Sequence, residues 1–257
     1  GKDGAVTVEE AKGFATSLNV VEGLQFERGY LSPYFITNQD KMTAILDRPY
    51  ILICNKKLTQ LKELMPLLEA VLNEQSGMLV IADDIDGDAI QGLVVNRIRG
   101  SLQVCAVRSP GFGENRVSML EDLAVLSGTR VISGVAGEDL SELTLSDLGR
   151  CKKATIGKNT TLLVGCEGDL DDIAMRADSI KTQINDSLSS PEEVEILRQR
   201  LSKLSGGVAI LKVGGSTEVE LRERKDRVDD ALSATLAAIE EGILPGGGVA
   251  LVRASNI

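Results

Sequence analysis

Two glycine-rich stretches are candidates for phosphate chemistry in this chain: "VGGST" (213–217) and "PGGGVA" (245–250). "VGGST" precedes a helical pattern, and a helix N-terminus offers free N–H groups to an anion. However, neither stretch has the GK[ST] ending of a P-loop or the GxGxxG of a dinucleotide fold. The sequence therefore favours a glycine turn with a capped helix for "VGGST", in which Thr217 and Glu220 have the spacing of a capping box.

An acidic cluster, "DDIDGD" (83–88), has the alternation of carboxylates found in calcium loops. In such a loop Ala89 would occupy the position of the invariant glycine and Val95 that of the bidentate glutamate. Because neither residue can serve, a calcium site is excluded. Carboxylates at the start of the next helix, where they favour its dipole, are the better interpretation.

Histidine is absent from all 257 residues. Its absence excludes Ser-His-Asp and Cys-His catalysis and every metal site that uses imidazole. The cysteines Cys54, Cys105, Cys151 and Cys166 form no CxxC pair, and the first and second lie in strand-like runs. Buried reduced thiols are the favoured interpretation, with a disulfide or metal role as the alternative. A reducing, cytoplasmic location fits reduced thiols.

Composition narrows the classes of partner. The net charge of −10 would repel a polyanion, so we expect no nucleic-acid partner. No apolar run approaches the roughly 20 residues of a membrane span, and the first residues do not resemble a signal peptide, so we expect no membrane partner. With no tryptophan, three tyrosines and four phenylalanines, the core must be aliphatic.

The middle of the chain alternates between strand and helix patterns, which predicts βαβ units around a parallel sheet, hence an α/β fold. Apolar runs predict strands at 50–54, 78–82 and 102–107, and helical patterns lie at 56–74, 87–99 and 114–127. The last helix ends at Gly128 and is followed by a short predicted strand, "RVIS" (130–133). Two β-like runs follow ("KKATIG" and "TTLLVG"), then helices near 168–186 and 191–204, a strand at 208–213 and a helix at 217–241. Ser189 or Ser190 is the predicted cap of the helix at 191–204.

The first 22 residues also look strand-like, and Gly23 and Gly206–Gly207 bracket the α/β middle. Two chain crossings, each with a conformationally free residue, are typical of one domain inserted into another.

Two of the predicted helices, 56–74 and 87–99, are apolar around half or more of their circumference. A layered core that buries both faces would explain this, and so would an exposed apolar groove between neighbouring helices. The segment "GYLSPYFIT" (29–37) could line such a groove or anchor a loop in the core. The distribution of apolar residues around the two helices leaves both alternatives open.

Several blocks in order resemble the GroEL-type (type I) chaperonins over nearly the whole chain. The blocks are "VVEGLQFERGYLSPYFITN", "LVVNRIRG", "SPGFGENR", "MLEDLAVLSG", "LSGGVAILKVGGSTEVE" and "DDALSATLAAIEEGILPGGGVAL". The resemblance implies an apical domain with a parallel-containing β core flanked by helices, inserted into a small α+β intermediate domain. The implied boundaries are 1–22 (intermediate, first part), 23–206 (apical), 207–241 (intermediate, second part) and 242–257 (start of the returning equatorial domain), with hinges at Gly23 and Gly207.

The resemblance also implies a surface that binds exposed apolar segments of non-native polypeptides and, competitively, the mobile loop of a small co-chaperonin. The implied residues are apolar or hydrogen-bonding, as an unselective surface requires, and Met65 stands where leucine is usual. They are Tyr30, Ser32, Tyr34, Phe35, Leu61, Met65, Leu68, Ile90, Val94, Val95 and Asn96.

Nucleotide chemistry is implied only for a longer parent that would bind ATP and Mg²⁺ in its equatorial domain. There Asp230 matches the carboxylate that orients the attacking water, and Gly247 matches a glycine whose backbone approaches the nucleotide. Arg28 and Glu218 match an ion pair between subunits of a heptameric ring. We expect no cofactor in this chain and no ATP hydrolysis by it alone.

Two stretches depart from the family pattern. "GFGENRV" (111–117) replaces a more basic block, and "ISGVAGEDLSEL" (132–143) replaces a stretch that often carries paired glutamates. The alternatives are therefore a divergent paralogue with altered partner use, or an enzyme that holds a phosphate on its own glycine loops.

Overall fold

The computed structural model describes residues 5–11, 13–133, 139–185 and 191–255. The chain divides into two compact units, a larger one that spans Val20–Val208 and a smaller one built from Val6–Asn19 and the residues from Ala209 onward. Among the described residues, no helix has both the length and the hydropathy needed to cross a membrane.

Ten strands occur in the described part of the chain. They are β1 (Ala5–Glu10), β2 (Ser17–Val21), β3 (Gly23–Phe26), β4 (Ala44–Asp47), β5 (Tyr50–Leu58), β6 (Gly77–Ile85), β7 (Gln103–Arg108), β8 (Gly149–Ile156), β9 (Thr161–Cys166) and β10 (Val208–Val213). The helices are α1 (Met65–Asn73), α2 (Gly87–Ile98), α3 (Gly113–Ser127), α4 (Leu170–Asn185), α5 (Pro191–Gly206), α6 (Glu218–Glu241) and α7 (Val249–Ala254). Short 3-10 turns include Pro33–Phe35 and Leu61–Glu63.

The larger unit is organised around a mixed sheet with the order β3-β9-β8-β5-β6-β7, and β4 pairs with β8. β5, β6 and β7 are parallel neighbours, whereas β3, β4, β8 and β9 pair antiparallel. β6 is buried from Gly77 through Ala82, which explains its unbroken apolar run, since a parallel strand covered on both faces does not alternate. The α/β prediction is therefore confirmed, with antiparallel strands added at one edge.

The first predicted helix, 56–74, is wrong at its start. β5 continues to Leu58, a 3-10 turn follows at Leu61–Glu63, and α1 begins only at Met65. Pro66 gives the physical reason, because proline has no N–H and is accepted in the first turn of a helix but breaks its interior. A continuous helix through Pro66 would lose a backbone hydrogen bond, so the helix starts where the proline is harmless.

The other helix predictions agree with the structure to within about two residues at each end. α3 ends at Gly128, which adopts the left-handed conformation (φ 73°) expected of a glycine stop. The short strand predicted after it is only a single bridge between Ile132 and Cys54. The predicted caps of α5, Ser189 and Ser190, lie outside the described residues.

The smaller unit holds the three-stranded sheet β1-β10-β2 together with α6 and α7. At the start of α6 the Thr217 hydroxyl accepts a hydrogen bond from the Glu220 N–H (3.2 Å), as predicted. The Glu220 carboxylate accepts from the Ser216 N–H (3.0 Å), one residue before the position that a capping box would use. Ser216 and Thr217, the last two residues of "VGGST", are therefore both hydrogen-bonded to Glu220.

A buried ion cluster joins three helices of the larger unit. Asp122 of α3 accepts hydrogen bonds from Arg200 Nε of α5 and Arg176 Nε of α4, each at 2.7 Å. Asp122 and Arg200 are both buried. A buried carboxylate between two guanidinium groups stabilises the fold only while all partners are present, because each lone charge pays a desolvation cost.

We predict that Asp122→Ala lowers the free energy of unfolding by about 3 kcal/mol or more, because it leaves buried Arg200 without its counter-charge. Urea denaturation monitored by circular dichroism measures the change. The matched control is Asp178→Ala, which breaks the exposed pair with Lys181 on α4 and should cost less than about 1 kcal/mol. Equal losses in the two variants would show that the buried cluster contributes no more to the free energy of unfolding than an exposed ion pair.

Candidate functional site

Two helices, α1 and α2, and two 3-10 turns, Pro33–Phe35 and Leu61–Glu63, lie next to one another in the larger unit. α2 contacts both 3-10 turns, and the second turn leads through Leu64 directly into α1. The approach of Leu61 to α2 is so close that a Cβ at Gly92 would overlap the Leu61 side chain. A glycine at residue 92 therefore sets the spacing between the two helical elements.

Large apolar side chains on these elements face solvent. Their exposed fractions are 65% for Tyr34, 38% for Met65, 47% for Leu72, 42% for Val95 and 62% for Ile98. We call this set the apolar surface. Met65 and Leu72 lie seven residues apart on α1, and Val95 and Ile98 three apart on α2, so each pair lies on one side of its helix.

The predicted polypeptide-binding residues fall into three groups in the structure. Tyr34, Met65 and Val95 belong to the apolar surface. Tyr30, Leu61, Ile90 and Val94 are partly buried and pack against the hydrophobic core. Ser32 and Asn96 are partly buried as well, and their polar groups bond within the chain: the Ser32 hydroxyl accepts from the Tyr34 N–H, and Asn96 Nδ2 donates to the Gly92 carbonyl (2.9 Å).

Leu68 and Phe35 correct the expectation that every apolar residue of the set faces water. Leu68 is only 5% exposed and Phe35 is fully buried. α1 buries Leu67, Leu68 and Val71 against the core. One part of its apolar circumference therefore packs into the core, and another part is exposed. The layered-core interpretation holds for these residues, and the exposed-surface interpretation holds for Met65 and Leu72.

Leu72 and Ile98 belong to the apolar surface but were not among the predicted binding residues. A signal for Leu72 was available, because it lies two helical turns after Met65 on the same side of α1. Ile98 is the last residue of α2 and lies beyond Leu93, the last buried residue of that helix. Its exposure depends on where the helix ends, which the pattern predicts only approximately.

The carboxylates of the acidic cluster near the start of α2 form ion pairs with basic side chains. Asp84 accepts hydrogen bonds from Arg108 at 2.6 and 3.1 Å, Asp86 pairs with Lys57 at 2.5 Å, and Asp83 pairs with Arg116. Asp86 precedes α2 but makes no side-chain capping bond to it. Within the described ranges, no group of three or more carboxylates and thiols is arranged to hold a metal ion.

A cavity of about 410 Å³ lies beside the "VGGST" turn in the smaller unit. Its lining includes Glu10, Phe14, Ser216, Glu218 and Arg222. The lining carries both signs of charge, since Arg222 lies beside Glu218 and Glu10 pairs with Lys225 (2.8 Å). The N–H groups of Ser216 and Glu220, which a phosphate would need, already bond within the turn. The interpretation of a capped glycine turn is therefore supported.

Arg28 and Glu218 are the two residues expected to form an ion pair between subunits. Arg28 belongs to the larger unit and Glu218 to the smaller one. Arg28 Nε donates to the Ser109 carbonyl (3.4 Å), and its guanidinium lies 4.9 Å from the Phe112 ring centroid. Glu218 is exposed in the first turn of α6.

Asp230 and Gly247, the two residues that the resemblance connects with ATP, are not covered by other described parts of the smaller unit. Asp230 is exposed on α6. Gly247 has a left-handed φ of 65°, and no atom lies within 4 Å of where a Cβ would be.

The two predicted hinge positions require glycine for different reasons. Gly207 has a left-handed φ of 64°, a conformation that other residues adopt at a cost. At Gly23 a Cβ would overlap the Leu163 carbonyl oxygen of the neighbouring strand β9. The structure thus explains the residue type at both positions; their action as hinges remains a prediction.

The fold and this site define an α/β protein that presents an apolar surface supported by a sheet. A family model described as the TCP-1/cpn60 chaperonin family matches residues 2–257, and the chain therefore belongs to this chaperonin family. A general role in protein folding as a chaperone follows from that membership.

We predict that the Asp84 carboxyl titrates below its ordinary pKa of 3.8, because the hydrogen bonds from Arg108 favour its charged form. A folded-state pKa below the unfolded one means that this pair stabilises the fold above about pH 4 and ceases to do so as pH falls through the lowered value. Carbon-detected NMR of the carboxyl group measures the titration. Arg108→Gln should raise the midpoint, whereas the exposed Arg99→Gln should leave it unchanged; an unchanged midpoint in Arg108→Gln would contradict the assignment.

Proposed function

We propose that the larger unit captures exposed apolar segments of non-native polypeptides on the apolar surface. The supporting observation is that Tyr34, Met65, Leu72, Val95 and Ile98 expose large side chains on elements whose other faces are anchored in the core. A contiguous exposed apolar patch of several hundred Å² usually marks a site that binds another molecule. Membership of the chaperonin family supports the same conclusion.

Capture requires no catalysis, because burial of apolar area supplies the free energy. Each Å² removed from water contributes about 25 cal/mol, so a bound segment that covers a few hundred Å² gains several kcal/mol before entropy is subtracted. A folded protein hides such segments in its core and gains nothing. Met65 adds adaptability, since its unbranched thioether fits side chains of different shapes.

The same surface would accept the mobile loop of a small co-chaperonin, in competition with the client. We infer this competition from the shared chemistry, since both partners offer apolar side chains to Met65, Val95 and their neighbours. A site that is used for both capture and release need not distinguish the two ligands strongly. The partner present at higher effective concentration would then prevail.

In a longer parent we propose that ATP drives the cycle. There α6 would carry Asp230 to the attacking water, and the backbone at Gly247 would approach the nucleotide. Arg28 and Glu218 would pair between neighbouring subunits of a heptameric ring in the cytoplasm. Asp230 and Glu218 are exposed on α6, as such roles require, and the glycine turn before α7 is open. Mg²⁺ would be bound with the nucleotide by parts beyond this chain.

We predict that Val95→Glu weakens binding of a labelled amphipathic apolar peptide at least tenfold, because it replaces an apolar side chain of the apolar surface by a charge. Fluorescence anisotropy measures Kd, and the Tm should change by no more than about 3 °C because the side chain is 42% exposed. The matched control is Val219→Glu, the same change at a 78% exposed valine of α6. Equal binding by both variants would locate the site elsewhere.

Calorimetry with ATP separates this proposal from a stand-alone phosphate enzyme. We expect the peptide to bind the chain and ATP to give no measurable heat, since the N–H groups that a phosphate would need at the "VGGST" turn already bond within it. ATP binding with micromolar affinity would overturn the proposal that nucleotide chemistry belongs to the longer parent. Peptide binding is the positive control for a folded sample.

A further inference from the structure

Two of the cysteines face each other across an antiparallel strand pair. Cys151 of β8 is directly opposite Cys166 of β9 in the register of the sheet. Side chains directly opposite each other lie on the same face of a sheet, where they are nearest neighbours. Both cysteines are free and buried in the larger unit.

The backbone hydrogen bonds define which kind of pair this is. The Glu167 N–H donates to the Arg150 carbonyl (3.1 Å), one residue outside the pair, and the Cys166 N–H donates to the Glu22 carbonyl, away from β8. Cys151 and Cys166 therefore form a non-hydrogen-bonded pair, in which the Cα atoms are typically about 4.5 Å apart. That separation lies at the short end of the range a disulfide spans, about 4.4–6.8 Å.

The other cysteines are not arranged in this way. Cys54 lies on β5 and Cys105 on β7, and β6 runs between these strands, pairing with both. Two strand spacings of about 4.8 Å separate their backbones, which exceeds the reach of a disulfide. Cys151 and Cys166 are therefore placed to form a disulfide. Cys54 and Cys105 cannot bond to each other and serve as internal controls for oxidation.

We propose that Cys151 and Cys166 form a redox modification site, a cross-strand dithiol that a peroxide oxidises to a disulfide. Cys166 retains 8% exposure and is the side chain that peroxide reaches first. Its thiolate attacks one peroxide oxygen, the O–O bond breaks, and a sulfenic acid and water result. The Cys151 sulfur then attacks the sulfenic sulfur, the S–S bond forms and a second water leaves. Two thiols and one hydrogen peroxide thus give one disulfide and two waters.

The bond would fix the end of the β8–β9 hairpin next to the start of β3. The Glu22 carbonyl accepts hydrogen bonds from the Gly165 and Cys166 N–H groups, at 2.6 and 3.3 Å, so the residues beside Cys166 anchor the chain as it enters β3. A link from Cys166 to Cys151 ties this anchor covalently to β8. The link closes a loop of roughly 15 residues, which restricts the unfolded chain and stabilises the fold.

Burial makes the site slow and pH-dependent. Desolvation raises the pKa of Cys151 to about 12, and it raises the pKa of Cys166 as well. Only the thiolate attacks peroxide, so at neutral pH the reactive fraction is small. Because the thiolate fraction rises nearly tenfold per pH unit below the pKa, oxidation should accelerate nearly tenfold from pH 7 to pH 8.

The experiment treats the reduced full chain with hydrogen peroxide, then unfolds it, alkylates free thiols and maps the peptides by mass spectrometry. We expect all four cysteines to be alkylated before oxidation, and only Cys54 and Cys105 afterwards, with a linked Cys151–Cys166 peptide. The Tm should rise by roughly 5–10 °C and return on addition of dithiothreitol. Persistent alkylation of both Cys151 and Cys166, a sulfinic acid at either one, or a link to a different cysteine would overturn the proposal.

Matched variants identify the pair. Cys105→Ala should still form the disulfide, and Cys166→Ala should not. If Cys166→Ala fails to fold, Cys151→Ser provides the same test, and the mapping of the unmodified chain decides without either variant. A disulfide that forms but lowers the Tm would show that the bond strains the hairpin, and would overturn its stabilising role.

Discussion

The apolar surface depends on one constraint: α1 and α2 must each bury one side firmly while another side stays bare. α1 meets it with Leu67, Leu68 and Val71 buried against the core, and α2 with Ala89 and Leu93. The side chains that β5, β6 and β7 bury completely are aliphatic or contain sulfur, and Tyr50 of β5 packs against them. The contribution of those buried leucines and valines, about 1.5–3 kcal/mol each, offsets the unfavourable exposure of Met65 and Val95.

Packing between the helical elements matters as much as burial beneath them. At Gly92 a side chain would displace Leu61, so the close approach of the 3-10 turn to α2 depends on a residue without a Cβ. Pro66 has a related role, because it prevents α1 from extending back through the turn. Two residues with special backbone properties therefore determine the shape of the surface, and its apolar side chains determine the chemistry.

Much of the fold could be predicted from the sequence, because short apolar runs and glycine stops are local signals. The register that places Cys151 opposite Cys166 follows only once the turn is known, because the length of the turn fixes which residues pair in a hairpin. Here the Gly157 N–H bonds to the Thr160 carbonyl across a two-residue turn, and a turn one residue longer would have moved the cysteines apart. The site was predictable only in outline. Periodicity showed that α1 and α2 are apolar around much of their circumference, but Leu68 and Met65 look alike on a wheel and only packing separates them. The adjacent aromatic residues Tyr34 and Phe35 differ in the same way, since Tyr34 is exposed and Phe35 is buried.

The polar groups around the apolar surface explain why it should bind by area and not by sequence. Asn96 Nδ2 donates to the Gly92 carbonyl, and the Ser32 hydroxyl accepts from the Tyr34 N–H. Because these groups already have partners within the chain, a ligand would have to displace existing hydrogen bonds in order to use them. Selectivity built on oriented hydrogen bonds is therefore weak here, and what separates ligands is how much apolar area they can offer. Under the proposed function, such a surface would distinguish unfolded from folded chains without distinguishing one unfolded chain from another.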